Sequence, residues 1–269
     1  MVKRAFQAVA ALAAAGFAVF AWIYLTLPDV RPLVRTNPGT TAFMDLRARE
    51  ASAAGRKVVK AQRWVPYDRI SPQLKRAVLV TEDAAFFSHE GIDFDEMEKS
   101  FEENWKKGQL ARGGSTITQQ LAKNLYLSPS RNPLRKVTEF LIARRLEAEL
   151  SKRRIFEIYL NVIEWGDGIW GAESAARAYF KTTAAELSAE QSALLAAVII
   201  NPRRYSPATP TTFLIRRQRL ILQRMGDVEP PPVAPQTPPP GAPSAVVSPP
   251  GTYGAVQEHT QHLERAGPP

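Results

Sequence analysis

The chain has 269 residues, of which 35 are Lys or Arg and 26 are Asp or Glu, so its formal net charge is +9. This length suits one domain of ordinary size with appendages. The absence of cysteine excludes disulfide bonds and thiolate metal sites. The positive charge favours an anionic partner, namely nucleic acid, phospholipid headgroups or a phosphorylated substrate.

Residues 1–27 are predicted to form a membrane anchor. Residues 5–27 are uncharged and largely apolar, and about 20 helical residues cross a bilayer. A cleaved secretory signal is the alternative, but the apolar run continues well past the small residues at 11–15, which favours an uncleaved anchor. Because Lys3 and Arg4 precede the span, we expect the N-terminus in the cytoplasm and the rest outside. Nucleic acid is therefore not expected as a partner, whereas membrane lipid or a lipid-linked phosphate is.

The next segment, residues 28–61, has a mixed composition. It is predicted to be a linker with a short strand near Val58 and Val59. At the other end, residues 226–269 contain proline runs at 230–232 and 238–240. Such a segment cannot hold a helix or a sheet, and we expect a disordered or extended spacer.

Residues 62–225 are predicted to form one mainly α domain. Ser71, Ser151 and Ser188 are typical helix-capping residues. Pro72 suits the first helical position, and Gln191 completes a capping box with Ser188. Further helices are expected from Ile117, from Asn132 and from Asp93, the last with the apolar stripe Phe94, Met97, Phe101 and Trp105. No strand is predicted after Tyr67.

Glu82 and Asp83 form an acidic pair near the end of the first of these helices. Adjacent helical residues point about 100° apart, so one should face a cleft and the other a structural partner. A carboxylate beside Phe86 and Phe87 would be partly desolvated, which raises its pKa towards that of a useful general base. The alternative is a surface acidic pair at a helix end. His89 is either a substrate contact or a structural histidine.

A glycine-led segment, residues 112–116, opens the helix that begins near Ile117. Free amides at the positive end of a helix can bind an anion, and glycine lets a ligand approach the backbone. Gln119 and Gln120 lie in the first turns, where they could bind sugar hydroxyls. The alternative is an ordinary glycine turn with Ser115 or Thr116 as the helix cap.

A basic series follows, with one carboxylate among its members. Glu139 lies four residues after Arg135 and three after Lys136, hence on the same helical face. One interpretation is a pyrophosphate cradle whose cations are held by a carboxylate. The other is an exposed ladder of ion pairs with little effect on stability. Farther along the chain, Trp165 and Trp170 either line a sugar cleft or pack in the core.

In sequence, the chain resembles the biosynthetic peptidoglycan glycosyltransferases, glycosyltransferase family 51. The resemblance covers residues 62–224 and rests on several motifs in order. These are Glu82-Asp83 with Phe86, His89 and Gly91; residues 113–125; Arg135-Lys136 with Glu139; residues 152–161, with Phe156 where Leu is usual; residues 171–180; and Asn201-Pro202 with residues 205–207.

The resemblance implies a lysozyme-like, all-helical domain that joins lipid II units into glycan strands and releases undecaprenyl pyrophosphate. It implies that Glu82 is the general base and that Glu139 belongs to the catalytic set. It also implies that the donor pyrophosphate is attended by Lys123, Arg131, Arg135 and Lys136. The other substrate-binding residues would be Asp83, His89, Gly114, Ser115, Thr116, Gln119, Gln120 and Lys152.

The same resemblance implies partners and a location. We expect lipid II, the growing strand, the membrane and other cell-wall synthesis proteins as partners, and a divalent cation, Mg or Mn, is left open as a cofactor. The expected place is the bacterial cytoplasmic membrane, crossed once, with the catalytic domain on the periplasmic side. Without Ser-x-x-Lys or Lys-Thr-Gly motifs, a penicillin-binding transpeptidase module is not expected.

Two other functions compete with this one. A lysozyme-like enzyme that cleaves glycan would need carboxylates but no cations, because its leaving group is a sugar. The basic series from Lys123 to Lys136 therefore favours a phosphate leaving group. A membrane-anchored, non-catalytic scaffold would suit the proline-rich segment but would leave Glu82 and Glu139 without a role.

Overall fold

The computed structural model describes residues 2–91, 114–127 and 133–226, all within one compact unit. The predicted helix that carries Phe94 to Trp105, the cation Arg131 and the proline-rich segment lie outside these residues. The described helices are α1 (Val2–Leu25), α2 (Ala42–Ala53), α3 (Pro72–Glu82), α4 (Ile117–Tyr126), α5 (Pro133–Glu149), α6 (Lys152–Val162), α7 (Ala172–Phe180), α8 (Ala189–Val198) and α9 (Thr212–Met225). This content confirms the mainly α prediction.

The helix starts predicted from serine caps are present. The hydroxyl of Ser71 accepts a hydrogen bond from the Gln73 amide at 3.2 Å, and Pro72 occupies the first position of α3. Ser151 caps α6 in the same way. At α8 both halves of the Ser188 and Gln191 capping box are formed. Each cap satisfies amides that the first helical turn leaves without a partner.

The core is built around two central helices. In α8 every residue from Ser192 to Val198 is buried, because α8 lies between α3 and α9. In the other half, α4 packs against α2, α5 and α6. Phe156 of α6 is fully buried, with its ring centroid 5.5 Å from that of Phe86. This packing places the C-terminal end of α3 beside the N-terminal end of α4, where the predicted site residues lie.

A small three-stranded sheet covers one side of the domain. Its strands are β1 (Ala61–Gln62), β2 (Glu164–Gly166) and β3 (Ile169–Trp170) in the order β1-β3-β2, with β1 parallel and β2 antiparallel to β3. The hairpin turn between β2 and β3 contains Gly168, whose φ of +73° favours glycine. The prediction of no strand after Tyr67 is therefore wrong. The strands are two or three residues long, too short to show an alternating pattern.

The segment at residues 28–61 also differs from its prediction. It contains a 3-10 helix at Arg31–Val34 and the helix α2, which Thr41 caps through a 3.1 Å hydrogen bond from the Met44 amide. Met44 is buried, and α2 packs on α4, so this part belongs to the fold. The strand predicted near Val58 and Val59 lies at β1 instead. The position of β1 is set by its pairing with β3, in which Ala61 lies opposite Ile169.

Candidate active site

Glu82 is the last residue of α3, and its carboxylate lies beside α4. The Nε2 atom of Gln120 donates a hydrogen bond of 3.0 Å to its Oε2 atom. Burial is the main cause that raises the pKa of Glu82. The hydrogen bond from Gln120 and the positive charges of Arg217 and Lys123 act in the opposite direction. Glu82 is thus a carboxylate with a raised pKa and nearby cations, as a general base near neutral pH requires.

The side-chain amide of Gln120 is oriented from the other side by Tyr159. The hydroxyl of Tyr159 donates to Oε1 of Gln120 at 2.9 Å. Tyr159 is wholly buried, and burial raises its pKa well above the ordinary value, so it remains a donor. Because Oε1 accepts from Tyr159, the Nε2 donor must face Glu82. A buried tyrosine on α6 therefore controls which group Glu82 contacts.

Asp83 turns away from Glu82 and into the fold. Its carboxylate accepts from the Ile117 amide at 2.9 Å and contacts Nε2 of His89 at 2.9 and 3.1 Å. Both side chains are largely buried. The expectation that one acid of the pair faces a structural partner is therefore confirmed for Asp83, and the cleft position expected for Glu82 stays a prediction. The substrate contacts predicted for Asp83 and His89 stay predictions.

The N-terminal end of α4 is already occupied by groups of the protein. The Ile117 amide binds Asp83, and the Gln119 amide donates to Thr116 at 3.2 Å. Thr116 and Gln119 are buried and complete a capping box. The amides of Ile117 and Gln119 are therefore already bound within the protein, and Asp83 supplies the negative charge that the helix end attracts. Anion binding by the rest of the glycine-led segment stays a prediction. Direct contact of Thr116 and Gln119 with substrate stays a prediction.

Gly114 and Ser115, which precede this capped helix end, are half-buried. The hydroxyl of Ser115 accepts a hydrogen bond of 3.2 Å from Nζ of Lys136. That contact joins the segment before α4 to the basic series on α5.

Glu139 is buried on α5, and two cations face it. Lys136 donates a hydrogen bond to its Oε1, and Nη1 of Arg135 lies 3.6 Å from its Oε2. The Nε and Nη1 atoms of Arg135 are buried, and no acceptor among the described residues bonds to them. Buried donors without acceptors are costly. This arrangement differs from an exposed ion-pair ladder and leaves donors for an anion.

The charges of both carboxylates, Glu82 and Glu139, act on Lys123 of α4. Burial is the main cause that lowers the pKa of Lys123, and the charges of Glu139 and Glu82 act to raise it. Arg135 and Lys136 lower it further, which shows that all three cations share one region. The predicted base and the predicted phosphate cradle therefore meet at Lys123.

The described donors do not fit a metal ion held by side chains alone. Among the residues that the structure describes, no group of three or more His, Asp or Glu converges on one point. Glu139 faces Lys136 and Arg135, and Asp83 binds an amide and His89. The possible role of Mg or Mn stays a prediction, and loss of activity on chelation with EDTA would support it.

Comparison with known proteins assigns this chain to a family. The family described as Transglycosylase matches residues 50–226. The chain belongs to the transglycosylase family.

Individual relatives agree with this assignment. A biosynthetic peptidoglycan transglycosylase of Chromobacterium violaceum is 47% identical over 229 residues, which are 85% of this chain and 99% of the relative. A protein of the same name from Laribacter hongkongensis is 53% identical over 192 residues, 71% of this chain and 84% of the relative. One from Nitrosospira multiformis is 51% identical over 189 residues, 70% and 82% of the two chains. The transglycosylase match begins at residue 50, within α2, in agreement with the packing of α2 on α4.

Two residues of this transglycosylase site were not predicted from the sequence. Arg217 on α9 lowers the pKa of Glu82, and its Nε is buried without an acceptor among the described residues. The other is Tyr159. Both lie in segments that the resemblance covers, but the neighbouring sequence does not mark either as a site residue. Arg217 is a basic residue on an amphipathic helix, and Tyr159 stands at a position of the apolar helical stripe, and both are ordinary features of a globular domain.

The two tryptophans considered as possible sugar-binding residues belong to the core. Trp165 and Trp170 are 0% and 1% exposed, so the alternative of a sugar-binding role for their faces is wrong. Both lie on the β2–β3 hairpin, whose inner face covers α7.

Lys152 at the start of α6 has partners inside the transglycosylase domain. Its Nζ lies 2.8 Å from Oε1 of Glu147, which also accepts from Thr118, and 4.4 Å from the centroid of the Phe86 ring. These contacts join α6, α5, α4 and the segment after α3. The substrate contact predicted for Lys152 stays a prediction, and the geometry favours a structural role.

Lys152→Ala is expected to lower the free energy of unfolding by about 1–3 kcal/mol, because a largely buried carboxylate loses a charged donor. Chemical denaturation of the detergent-solubilised protein measures the change. Lys57→Ala is the control, since Lys57 is exposed and surface substitutions change stability little. Unchanged stability with lost activity would instead support the substrate contact.

Proposed function

We propose that this protein polymerises lipid II into β-1,4-linked glycan strands of peptidoglycan and releases undecaprenyl pyrophosphate. The observation that supports this most strongly is that the charges of Glu82, Glu139, Arg135 and Lys136 all act on the pKa of Lys123, so the carboxylates and the cations share one region. The names of the relatives, biosynthetic peptidoglycan transglycosylase, agree with the proposal.

In the proposed reaction, Glu82 takes the proton from the 4-hydroxyl of the acceptor sugar. The oxygen then attacks the anomeric carbon of the donor from the face opposite the pyrophosphate. The bond between that carbon and the pyrophosphate oxygen breaks, and its electron pair leaves with the pyrophosphate. Because attack and departure occur on opposite faces, an α-linked donor gives a β-linked product. The hydrogen bond from Gln120 fixes the position of the Glu82 carboxylate at the end of α3.

The cations stabilise the leaving group. Pyrophosphate gains negative charge as the bond breaks, and fixed positive groups at that position lower the barrier. Lys123, Arg135 and Lys136 provide the charge, and Glu139 holds Lys136 and Arg135 in place. The Nε and Nη1 atoms of Arg135 are buried and make no hydrogen bond to the described residues, although Nη1 lies 3.6 Å from Oε2 of Glu139. These donors suit the planar, bidentate recognition of phosphate oxygens.

The direct test is incubation of the purified protein with labelled lipid II, followed by gel separation of the products. We expect a ladder of glycan strands and release of prenyl pyrophosphate. The competing function, glycan cleavage, would instead release soluble muropeptides from isolated sacculi. Release of muropeptides without strand synthesis would overturn the proposal.

Arg217→Ala is expected to move the acidic limb of the activity profile to higher pH. Glu82 must be ionised to act as a base, so activity rises as pH increases through its pKa. Arg217 lowers that pKa, and loss of its charge raises it further. The measurement is kcat/KM for lipid II against pH.

The matched control is Arg216→Ala, because Arg216 is the exposed neighbour of Arg217 on α9. We expect Arg216→Ala to leave the acidic limb in place. If the acidic limb lies at the same pH in both variants, Arg217 does not influence Glu82 in the active enzyme.

The protein is proposed to act at the membrane surface. Helix α1 is long and apolar enough to cross a membrane, and the relatives are enzymes of peptidoglycan. We propose a single crossing with the catalytic domain on the periplasmic side, because Lys3 and Arg4 precede the span. The undecaprenyl chain of lipid II stays in the bilayer, so an anchored cleft meets its substrate there. Contact with other cell-wall synthesis proteins stays a prediction.

A further inference from the structure

The end of the membrane anchor is held to α5 by an arginine. Nη1 of Arg145 donates to the carbonyl oxygens of Leu27 and Pro28, both at 3.3 Å, and its guanidinium lies 5.5 Å from the centroid of the Tyr24 ring. These carbonyls follow the last turn of α1, where an anchor leaves the bilayer and backbone acceptors need partners. The junction therefore lies at the depth of the lipid headgroups.

A cavity of about 550 Å³ opens beside this junction. That volume is in the range of sites for small molecules. Its apolar wall comes from the last turn of the anchor and from α5, and its polar wall carries charges of both signs. The lining residues are Tyr24, Leu27, Asp29, Arg31, Leu141, Arg144, Arg145, Ala148 and Glu149. An apolar wall beside a charged wall matches the boundary between acyl chains and headgroups.

One charged pair in the lining is already neutralised. Arg31 donates two hydrogen bonds to Asp29, of 2.8 and 2.9 Å, and these bonds hold the pKa of Asp29 at about 2. Asp29 therefore stays ionised, and its charge cancels that of Arg31.

Arg144, Arg145 and Glu149 are the other charges in the lining, and those of Arg145 and Glu149 also act on Asp29 and Arg31. The described contacts of Arg144 use Nη1, which donates to the Glu90 carbonyl at 3.1 Å and lies 3.5 Å from the highly exposed Glu90 carboxylate. Arg145 likewise uses Nη1 for its two carbonyls. Each guanidinium has five N–H donors, so both have donors left to bind a phosphate.

We propose that this cavity binds the headgroup of a phospholipid that carries both a phosphodiester and a primary ammonium group, as phosphatidylethanolamine does. The phosphodiester contacts Arg144 and Arg145, and the ammonium group contacts Glu149. The carboxylate of Glu149 gives the ammonium group a partner of opposite charge. A headgroup that carries only a phosphodiester would leave that carboxylate without a cationic partner. The bound lipid would hold the domain at a fixed angle to the anchor.

The test is native mass spectrometry of the full-length protein in lipid-free detergent. The probe is an equimolar mixture of phosphatidylethanolamine, phosphatidylcholine and phosphatidylglycerol with identical acyl chains. We expect the protein to retain one molecule of phosphatidylethanolamine in preference to the other two lipids. Arg144→Ala should lower this retention by about tenfold, the effect of one charged hydrogen bond. Glu149→Gln should remove the preference over phosphatidylcholine, whose headgroup has no N–H donor.

Arg177→Ala is the matched control. Arg177 pairs with Glu173 and is 49% exposed in its side chain, against 50% for Arg144, but it does not line the cavity. Equal retention of the three lipids, or equal loss in both arginine variants, would overturn the proposal. Displacement by inorganic phosphate would assign the cavity to a free anion, and preference for a prenyl pyrophosphate would assign it to the polymerisation substrate. Because the readout is lipid retention, its failure would leave the chemistry proposed for Glu82 unaffected.

Discussion

Glu82→Gln is expected to reduce polymerisation of lipid II by about 10²–10⁴-fold, the usual effect of losing a general base. Glutamine keeps the volume of the side chain and can still contact Gln120, but it cannot take a proton from the acceptor hydroxyl. The measurement is the initial rate of strand synthesis at saturating lipid II, with circular dichroism to show that the fold persists.

The same variant is expected to be at least as stable as the parent at neutral pH. Burial raises the pKa of Glu82 in the folded state, so its contribution to stability is present at low pH and is lost as pH rises through the folded pKa. A neutral glutamine avoids that loss, and thermal unfolding at pH 5 and pH 8 measures the difference.

The control is Glu90→Gln, because Glu90 lies in the segment after α3 and its side chain is 88% exposed. We expect this variant to keep its activity at every pH. Near-normal turnover in Glu82→Gln would show that Glu82 is not the base, and the proposed mechanism would then be wrong.

Lys136→Ala is expected to reduce the rate of polymerisation by about 10²–10³-fold, the usual effect of removing one group that stabilises charge in the transition state. The side chain of Lys136 is 55% exposed, so its ion pair with Glu139 should contribute only about 0–1 kcal/mol to folding. Activity should therefore fall far more than stability does. Single-turnover rates and thermal unfolding of the same preparation measure the two effects.

Lys57→Ala again serves as the control for loss of one positive charge, and we expect it to keep full activity. Normal catalysis in Lys136→Ala together with a lowered melting temperature would favour the ion-pair ladder over the phosphate cradle. Arg135→Ala should behave like Lys136→Ala in activity, since both cations face Glu139.

Local signals in the sequence were sufficient for most helices. A serine cap, a proline at the first position or a capping box acts within one turn, so Ser71, Ser151 and Ser188 could be recognised without knowledge of their distant neighbours. The spacing of Ile117, Leu121 and Leu125 likewise marked the buried face of α4, and all three are buried. Helix α2 was missed because its apolar residues form only a weak stripe and its packing on α4 stabilises it.

The sequence alone determined the helical class of the domain, the apolar helix at its start and, through ordered motifs, the residue types needed for base and phosphate chemistry. Only the tertiary structure decided which groups meet. It showed that Asp83 caps α4 across 34 residues of chain and that Tyr159 orients Gln120 across 39. It also brought Arg217 of α9 close enough to act on Glu82. Such contacts depend on helix packing, and a local pattern of residues carries no information about a partner so far along the chain.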